Sequence, residues 1–223
     1  FHYVPLPGGE AAIREPWRMA LSLLYQAFGK ALFDLPIEFV KRLDARKAKI
    51  ILTMIERNIN CPLTSSCGRL FDGIAALVGV RDRISYKGQA AIELEMEIGE
   101  GEELYPAPIP DQGELIIAQN PILHGVVEDL RSGVDRGTII RKFHNTVVRT
   151  FTDVCLKLRR ERGIKRVCLS GGVFQNVFLL QNLEKTLSAF DFEVYTHSVV
   201  PPNDGGIALG QVVVANAILN GQQ

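Results

Sequence analysis

RVCLSGGVFQN, residues 166–176, reads as a strand, a glycine turn and the start of a helix. Val167, Cys168 and Leu169 form a short apolar run suited to a buried strand. The run breaks at Ser170-Gly171-Gly172, and from Val177 to Leu187 apolar residues recur at helical spacing. A helix start offers backbone N–H groups and the positive end of its dipole to an anion. Gly171 and Gly172 carry no Cβ, so a flat or charged ligand can reach the main chain there. Asn176 stands at the mouth of the helix, as its cap or as a ligand contact. Such turns are also common in α/β domains that bind nothing, so the meaning of this one depends on its surroundings.

Downstream, FEVYT (residues 192–196) is a second strand. A two-proline loop follows, then Asn203-Asp204-Gly205-Gly206 opens a last helix to Leu219. Upstream, ELIIA (residues 114–118) is a third strand candidate, and residues 104–109 a possible edge strand. The three strands 114–118, 167–169 and 192–196 are expected to form one small, mostly parallel sheet with right-handed crossovers. The Gly171–Asn176 and Asn203–Gly206 segments then leave the C-terminal ends of two strands, the edge where open α/β sheets bind ligands.

The first half of the chain reads as helices. Pro16 opens one that runs to about Gly29, and shorter ones cover residues 36–43 and 45–59, the latter with Ile50, Ile51, Met54 and Ile55 inward. Residues 63–79 carry N-cap candidates at Thr64, Ser65 and Ser66 and a buried stripe of Leu70, Ile74, Leu77 and Val78. Asp72 falls off that stripe, either as a surface acid or as an acceptor for a ligand hydroxyl; Arg69 is a phosphate partner or half of a surface ion pair. A turn at Tyr86-Lys87-Gly88 precedes a helix over residues 89–97. Further helices cover 121–130 and 136–162, the last capped by Asp135, with His144 packed beside its apolar stripe.

Composition narrows the function classes. The 223 residues include 25 basic and 25 acidic side chains, so no charge excess points to nucleic acid. Apolar runs are too short to span a membrane, and residues 1–9 lack the plan of a signal peptide. Four cysteines without a CxxC pair fit reduced thiols in a cytoplasmic protein. Four scattered histidines give no helical His-x-x-x-His metal site. The Pro-rich opening at residues 1–9 is expected of a fragment of a longer protein.

LSGGVFQN (169–176) and VPPNDGGIALGQ (200–211) together resemble the C-terminal part of the HypF family, the carbamoyltransferases of [NiFe]-hydrogenase maturation. LPGGEAAIREPWRMAL (6–21), TSSCGRLFDGIAALVG (64–79) and YKGQAAIELE (86–95) are similar to HypF segments in the same order. The related tRNA threonylcarbamoyl enzymes share the Ser-Gly-Gly-Val…Asn pattern, but Phe174-Gln175 and residues 201–206 follow the HypF wording. The resemblance implies an α/β fold, the second lobe of an actin/Hsp70/sugar-kinase-like (ASKHA) architecture, over residues 1–223. It implies that Gly171 and Gly172 lie against a nucleotide, that Asn176 contacts it, and that Asp72 and Glu93 hold ribose hydroxyls. Glu93 follows Gly88 at the family spacing, with Gln89 where relatives have a second glycine. Asp204 is implied as a metal ligand (Fe, Zn or Mg), the histidines of that site belonging to the first lobe.

The activity implied is ATP-dependent. Carbamoyl phosphate and ATP give carbamoyl-adenylate, and the carbamoyl group passes to the C-terminal cysteine of a HypE-type partner. Upstream domains of the same parent chain are the other expected partners. Two alternatives stand beside it: a non-catalytic nucleotide-binding lobe, and an O-carbamoyltransferase acting on a small molecule.

Overall fold

The computed structural model describes residues 1–110 and 113–221. In chain order the elements are β1 (Val4–Pro5), α1 (Glu10–Arg14), α2 (Pro16–Phe28), α3 (Glu38–Lys41), α4 (Ala45–Glu56), β2 (Leu63–Thr64), α5 (Cys67–Leu77), α6 (Gln89–Met96), α7 (Asn120–Arg131), α8 (Arg136–Arg162), β3 (Arg166–Leu169), α9 (Val177–Ala189), β4 (Glu193–Thr196) and α10 (Ile207–Leu219). The chain is thus α/β, mostly helical, with two small sheets. It divides into two compact units, Phe1–Val154 and Cys155–Gln223, the boundary falling within α8.

In the first unit α2 is the central rod. Met19 through Leu24 are all buried, so this helix packs on more than one face. Its main neighbour is α5, and Gly73 sets their approach: a Cβ there would sit 2.3 Å from Leu23 Cδ1 and 3.4 Å from the Ala20 nitrogen. The start of α8 closes the core with Ile139, Ile140, Phe143 and Val147. The Phe143 ring meets Phe71 edge-on at 4.8 Å, a favoured aromatic geometry. β1 and β2 form a two-residue antiparallel ladder, Val4 opposite Thr64.

In the second unit β3 and β4 run parallel, in register from Arg166 opposite Glu193 to Leu169 opposite Thr196. The first of these pairs is also an ion pair, Arg166 Nε to Glu193 Oε2 at 3.0 Å. Leu179, Leu183 and Leu187 form the buried stripe of α9. By contrast, α10 buries no residue, and Val212, Val213, Val214, Ile218 and Leu219 are all exposed.

Three expectations need correction. Residues 114–118 are not a strand. Their backbone bonds include His2 N–H to the Ile117 carbonyl and Ile116 N–H to the Glu114 carbonyl, and neither extends into a ladder. The parallel sheet therefore has two strands among the described residues, not three. The 104–109 edge strand is also absent, because Tyr105 N–H donates to the Thr146 hydroxyl instead of a strand. Ile50, expected inward, is exposed, and Ala48, Ile51 and Leu52 carry the buried face of α4.

Candidate functional site

In the first unit, Ser66 caps α5 through a bond from Arg69 N–H, which fixes the turn on which Arg69 and Asp72 stand three residues apart. Asp72 is not a surface acid: it is 2% exposed. Arg69 Nη2 lies 2.9 Å from Asp72 Oδ2, yet Asp72 Oδ2 and Arg69 Nη1 have no hydrogen-bond partner. The pair is close but poorly aligned, which leaves buried hydrogen-bonding capacity unused. Burial pushes the Asp72 carboxyl up to about 6, and the Arg69 charge opposes that rise.

Gly88 takes a left-handed conformation (φ +85°) at the start of α6, which glycine adopts without strain. Behind it Gln89 is more than a replaced glycine. Its side-chain oxygen accepts from Ser85 N–H at 2.7 Å, and its amide donates to Glu93 Oε1 at 2.8 Å. Arg81 grips the same carboxylate bidentately, Nε to Oε2 at 2.6 Å and Nη2 to Oε1 at 2.7 Å. The hydrogen bond from Arg81 holds Glu93 below the usual carboxylate range. The partner Gln89 was visible in the i, i+4 spacing to Glu93. Arg81, twelve residues away, carried no local signal.

In the second unit the Gly171 and Asn203 loops leave the same edge of the parallel pair, as the strand reading required. Gly171 (φ +106°) has nothing within 4 Å of where a Cβ would stand, and Gly172 only ordinary contacts near 4 Å. The backbone is therefore open to close approach by a ligand. Gly171 N–H donates to the Pro202 carbonyl at 2.8 Å, so that amide serves the loop. Residues Gly172–Gln175 form a 3₁₀ turn. Asn176 then caps α9, its Oδ1 accepting from Leu179 N–H at 2.8 Å. Asp204 opens the 3₁₀ turn Asp204–Gly206. The two glycines after it are required by the loop itself: a Cβ at Gly206 would stand 2.9 Å from the Pro201 carbonyl oxygen, and one at Gly205 3.0 Å from Pro201 Cγ.

Among the described residues no three His, Cys, Asp or Glu side chains gather to hold a metal. Asp204 by itself is too few donors for a divalent cation. His144 is a core residue. Its Nδ1–H donates to the Ile140 carbonyl at 2.8 Å, and its ring stands edge-on to Phe71 and Phe143. A cavity of about 300 Å³ beside Trp17, Phe39 and Arg42 includes none of the expected site residues. No helix is long and apolar enough to cross a membrane among the described residues.

Residues 1–211 match the family model described as the carbamoyltransferase Kae1-like domain, second subdomain. The chain belongs to that family. Similar curated proteins are HypF carbamoyltransferases. One from Synechocystis is 33% identical over 93% of this chain and 28% of its own length. HypF2 of Cupriavidus necator is 33% identical over 95% of this chain and 29% of its own length. A crystal structure of full-length HypF in a phosphate- and nucleotide-bound form superposes with a TM-score of 0.92 at 45% identity, covering 98% of this chain and 28% of that one. The chain thus spans under a third of these relatives, and its small sheets and many helices are those of HypF structures.

Proposed function

We propose that this chain is the nucleotide-handling second lobe, of ASKHA type, of an ATP-dependent carbamoyltransferase. The observation that carries the reading is the edge of the parallel pair. There a Cβ-free, open turn at Gly171-Gly172 and the Asp204 loop emerge side by side, joined by the Gly171–Pro202 bond. Membership of the carbamoyltransferase Kae1-like family supports it, as does a relative crystallised with phosphate and nucleotide.

In this reading Gly171 and Gly172 let the nucleotide reach the main chain, and the start of α9 steadies its negative charge. Asn176 holds the turn in place as the cap and contacts the nucleotide. By the family resemblance Asp72 and Glu93 accept hydrogen bonds from ribose hydroxyls; Glu93 is part-exposed, whereas Asp72 is buried beside Arg69 and reaches a hydroxyl only if that pair opens. The reaction consumes carbamoyl phosphate and ATP and hands the carbamoyl group, by way of carbamoyl-adenylate, to the C-terminal cysteine thiolate of a HypE-type acceptor. Nucleophilic attack by the acceptor sulfur on the carbamoyl carbon breaks the mixed-anhydride bond and releases AMP. The acceptor supplies the thiol, so none of Cys61, Cys67, Cys155 and Cys168 acts as nucleophile. Burial pushes the Cys67 thiol up to about 12, which suits an inert residue.

Calorimetric titration of the 223-residue chain with ADP tests the nucleotide half of the proposal: saturable binding is expected, and its absence overturns it. Asp204→Ala, placed in a polypeptide that joins this segment to a first subdomain, is expected to abolish ATP-dependent carbamoyl transfer while leaving the circular-dichroism spectrum unchanged. Normal turnover would remove Asp204 from the site.

A further inference from the structure

The in-register ladder ends at Leu169 opposite Thr196. The next residue on each strand, Ser170 and His197, therefore leaves the sheet side by side. Their side chains meet: His197 Nε2 lies 2.9 Å from Ser170 Oγ. Ser170 directly precedes Gly171, and His197 begins the loop that leads to Asp204. A second tie follows one residue later on the first strand, from Gly171 N–H to the Pro202 carbonyl.

Beyond those ties the Pro201–Gly206 part of the second loop is closely held. Asn203 Oδ1 accepts from Gly205 N–H at 2.9 Å, and Gly206 N–H returns to the Asn203 carbonyl at 3.0 Å. Pro201 presses against both glycines. The Gly171–Pro202 bond therefore brings the tie between the two loops to within two residues of Asp204. On the other side, Ser170 adjoins the left-handed Gly171, whose neighbourhood is otherwise open. That turn is also held by the Gly171–Pro202 bond and by Phe174 N–H to the Gly171 carbonyl at 3.0 Å.

We infer that His197 is a positioning residue: through its hydrogen bond to Ser170 it fixes the spacing between the Gly171-Gly172 turn and the Asp204 loop. This rests on the reading of that edge as a nucleotide site. Neither side chain is asked to touch the reacting atoms. The pair serves as a crossbar between two loops that the sheet alone anchors only at their roots.

The test uses the 223-residue chain with ADP as ligand, and four variants: His197→Ala, Ser170→Ala, the double variant, and His197→Gln, whose amide can still bond the serine. Without the bond the two loops must be ordered on binding, which costs at most one hydrogen bond of ordinary strength, an affinity change of up to about fivefold. Each alanine variant is expected to weaken ADP by up to that factor, and the double variant by no more than either single change, because the two remove one shared interaction. His197→Gln is expected to recover most of the affinity. Wild-type affinity in His197→Ala, additive losses in the double variant, or a glutamine as poor as alanine overturns the inference. A wild-type chain that binds no ADP overturns the nucleotide reading instead. The crossbar is then judged by backbone amide resonances without ligand: His197→Ala must move the amides of Gly171 and Gly172 and also those of Gly205 and Gly206. Movement confined to one loop overturns the coupling.

Discussion

Arg81 holds both oxygens of Glu93, at 2.6 and 2.7 Å, from a loop twelve residues earlier in the chain. A bidentate guanidinium–carboxylate pair fixes the plane of the carboxylate as well as its position. Arg81→Lys keeps the charge but can bond only one oxygen at a time. The variant is expected to weaken ADP binding by about fivefold, the equivalent of about 1 kcal/mol, while unfolding free energy shifts by less than about 1 kcal/mol because the pair is part-exposed. Calorimetry and urea unfolding separate the two effects. An unchanged affinity would take Glu93 out of the proposed nucleotide site.

Asp72 and His144 give the stability opposite pH slopes. Burial raises Asp72 to about 6, so its stabilising contribution is fully present below its unfolded value, near pH 4, and is lost as pH rises through about 6. Burial also depresses His144 to about 4; its contribution is present above its unfolded value, near pH 6.5, and is lost as pH falls through about 4. Between about pH 4 and 6 the two slopes oppose each other. Asp72→Asn is expected to unmask a steady loss of stability on acidification, and His144→Phe the reverse. Urea midpoints measured across that range decide it; identical pH profiles in the two variants would contradict both assignments.

Asn176 has two duties in the proposed site, and they can be separated. Asn176→Ala removes the cap on α9, at a cost of about 1 kcal/mol, as well as the amide. Asn176→Ser keeps a capping oxygen and loses only the amide donor. Both variants are expected to bind ADP more weakly than wild type, with the serine variant close to wild type in urea stability. If the serine variant binds ADP normally, Asn176 is a cap and nothing more.

Gly125 lies under a ring that cannot move aside. A methyl there would stand 2.4 Å from Tyr105 Cδ1. Tyr105 is tied by its hydroxyl to Asp129 at 2.7 Å and by its N–H to Thr146 at 2.8 Å, with Lys142 over the ring face. Helix propensity alone would favour alanine in α7 by about 1 kcal/mol. Overpacking against a fixed ring costs about 1–3 kcal/mol, so Gly125→Ala is expected to be net destabilising, as a lower urea midpoint. A higher midpoint would show that the ring yields.

The helices were legible because their periodicity and caps are local; Asp135 and Asn176 announced α8 and α9 by residue type alone. The strands were less so. ELIIA at 114–118 has a strand's composition, but composition does not supply a partner, and the neighbouring chain gives it only isolated bonds. The β1–β2 ladder is two residues long and flanked by prolines, too short to leave a pattern. The surface alternative for Asp72 came from assuming a one-sided stripe, whereas every residue from Leu70 to Leu77 is buried. On the site itself, the glycine turn, the cap and the loop acid were readable as motifs. Arg81, which grips Glu93, and the Ser170–His197 bond join sequence-distant elements and appear only once the chain is folded.

The parallel register of β3 and β4 makes length itself a functional parameter. Ser170 faces His197 because the two paired runs are equally long, four residues each. A single-residue deletion within either strand would keep the residue types at the edge, yet would draw one loop back by about 3.3 Å, the rise of one strand residue, and turn the shifted side chains to the opposite face. Residue count along these two strands should therefore tolerate less variation than residue identity: Val167 or Val194 can be exchanged for another β-former more safely than either can be removed.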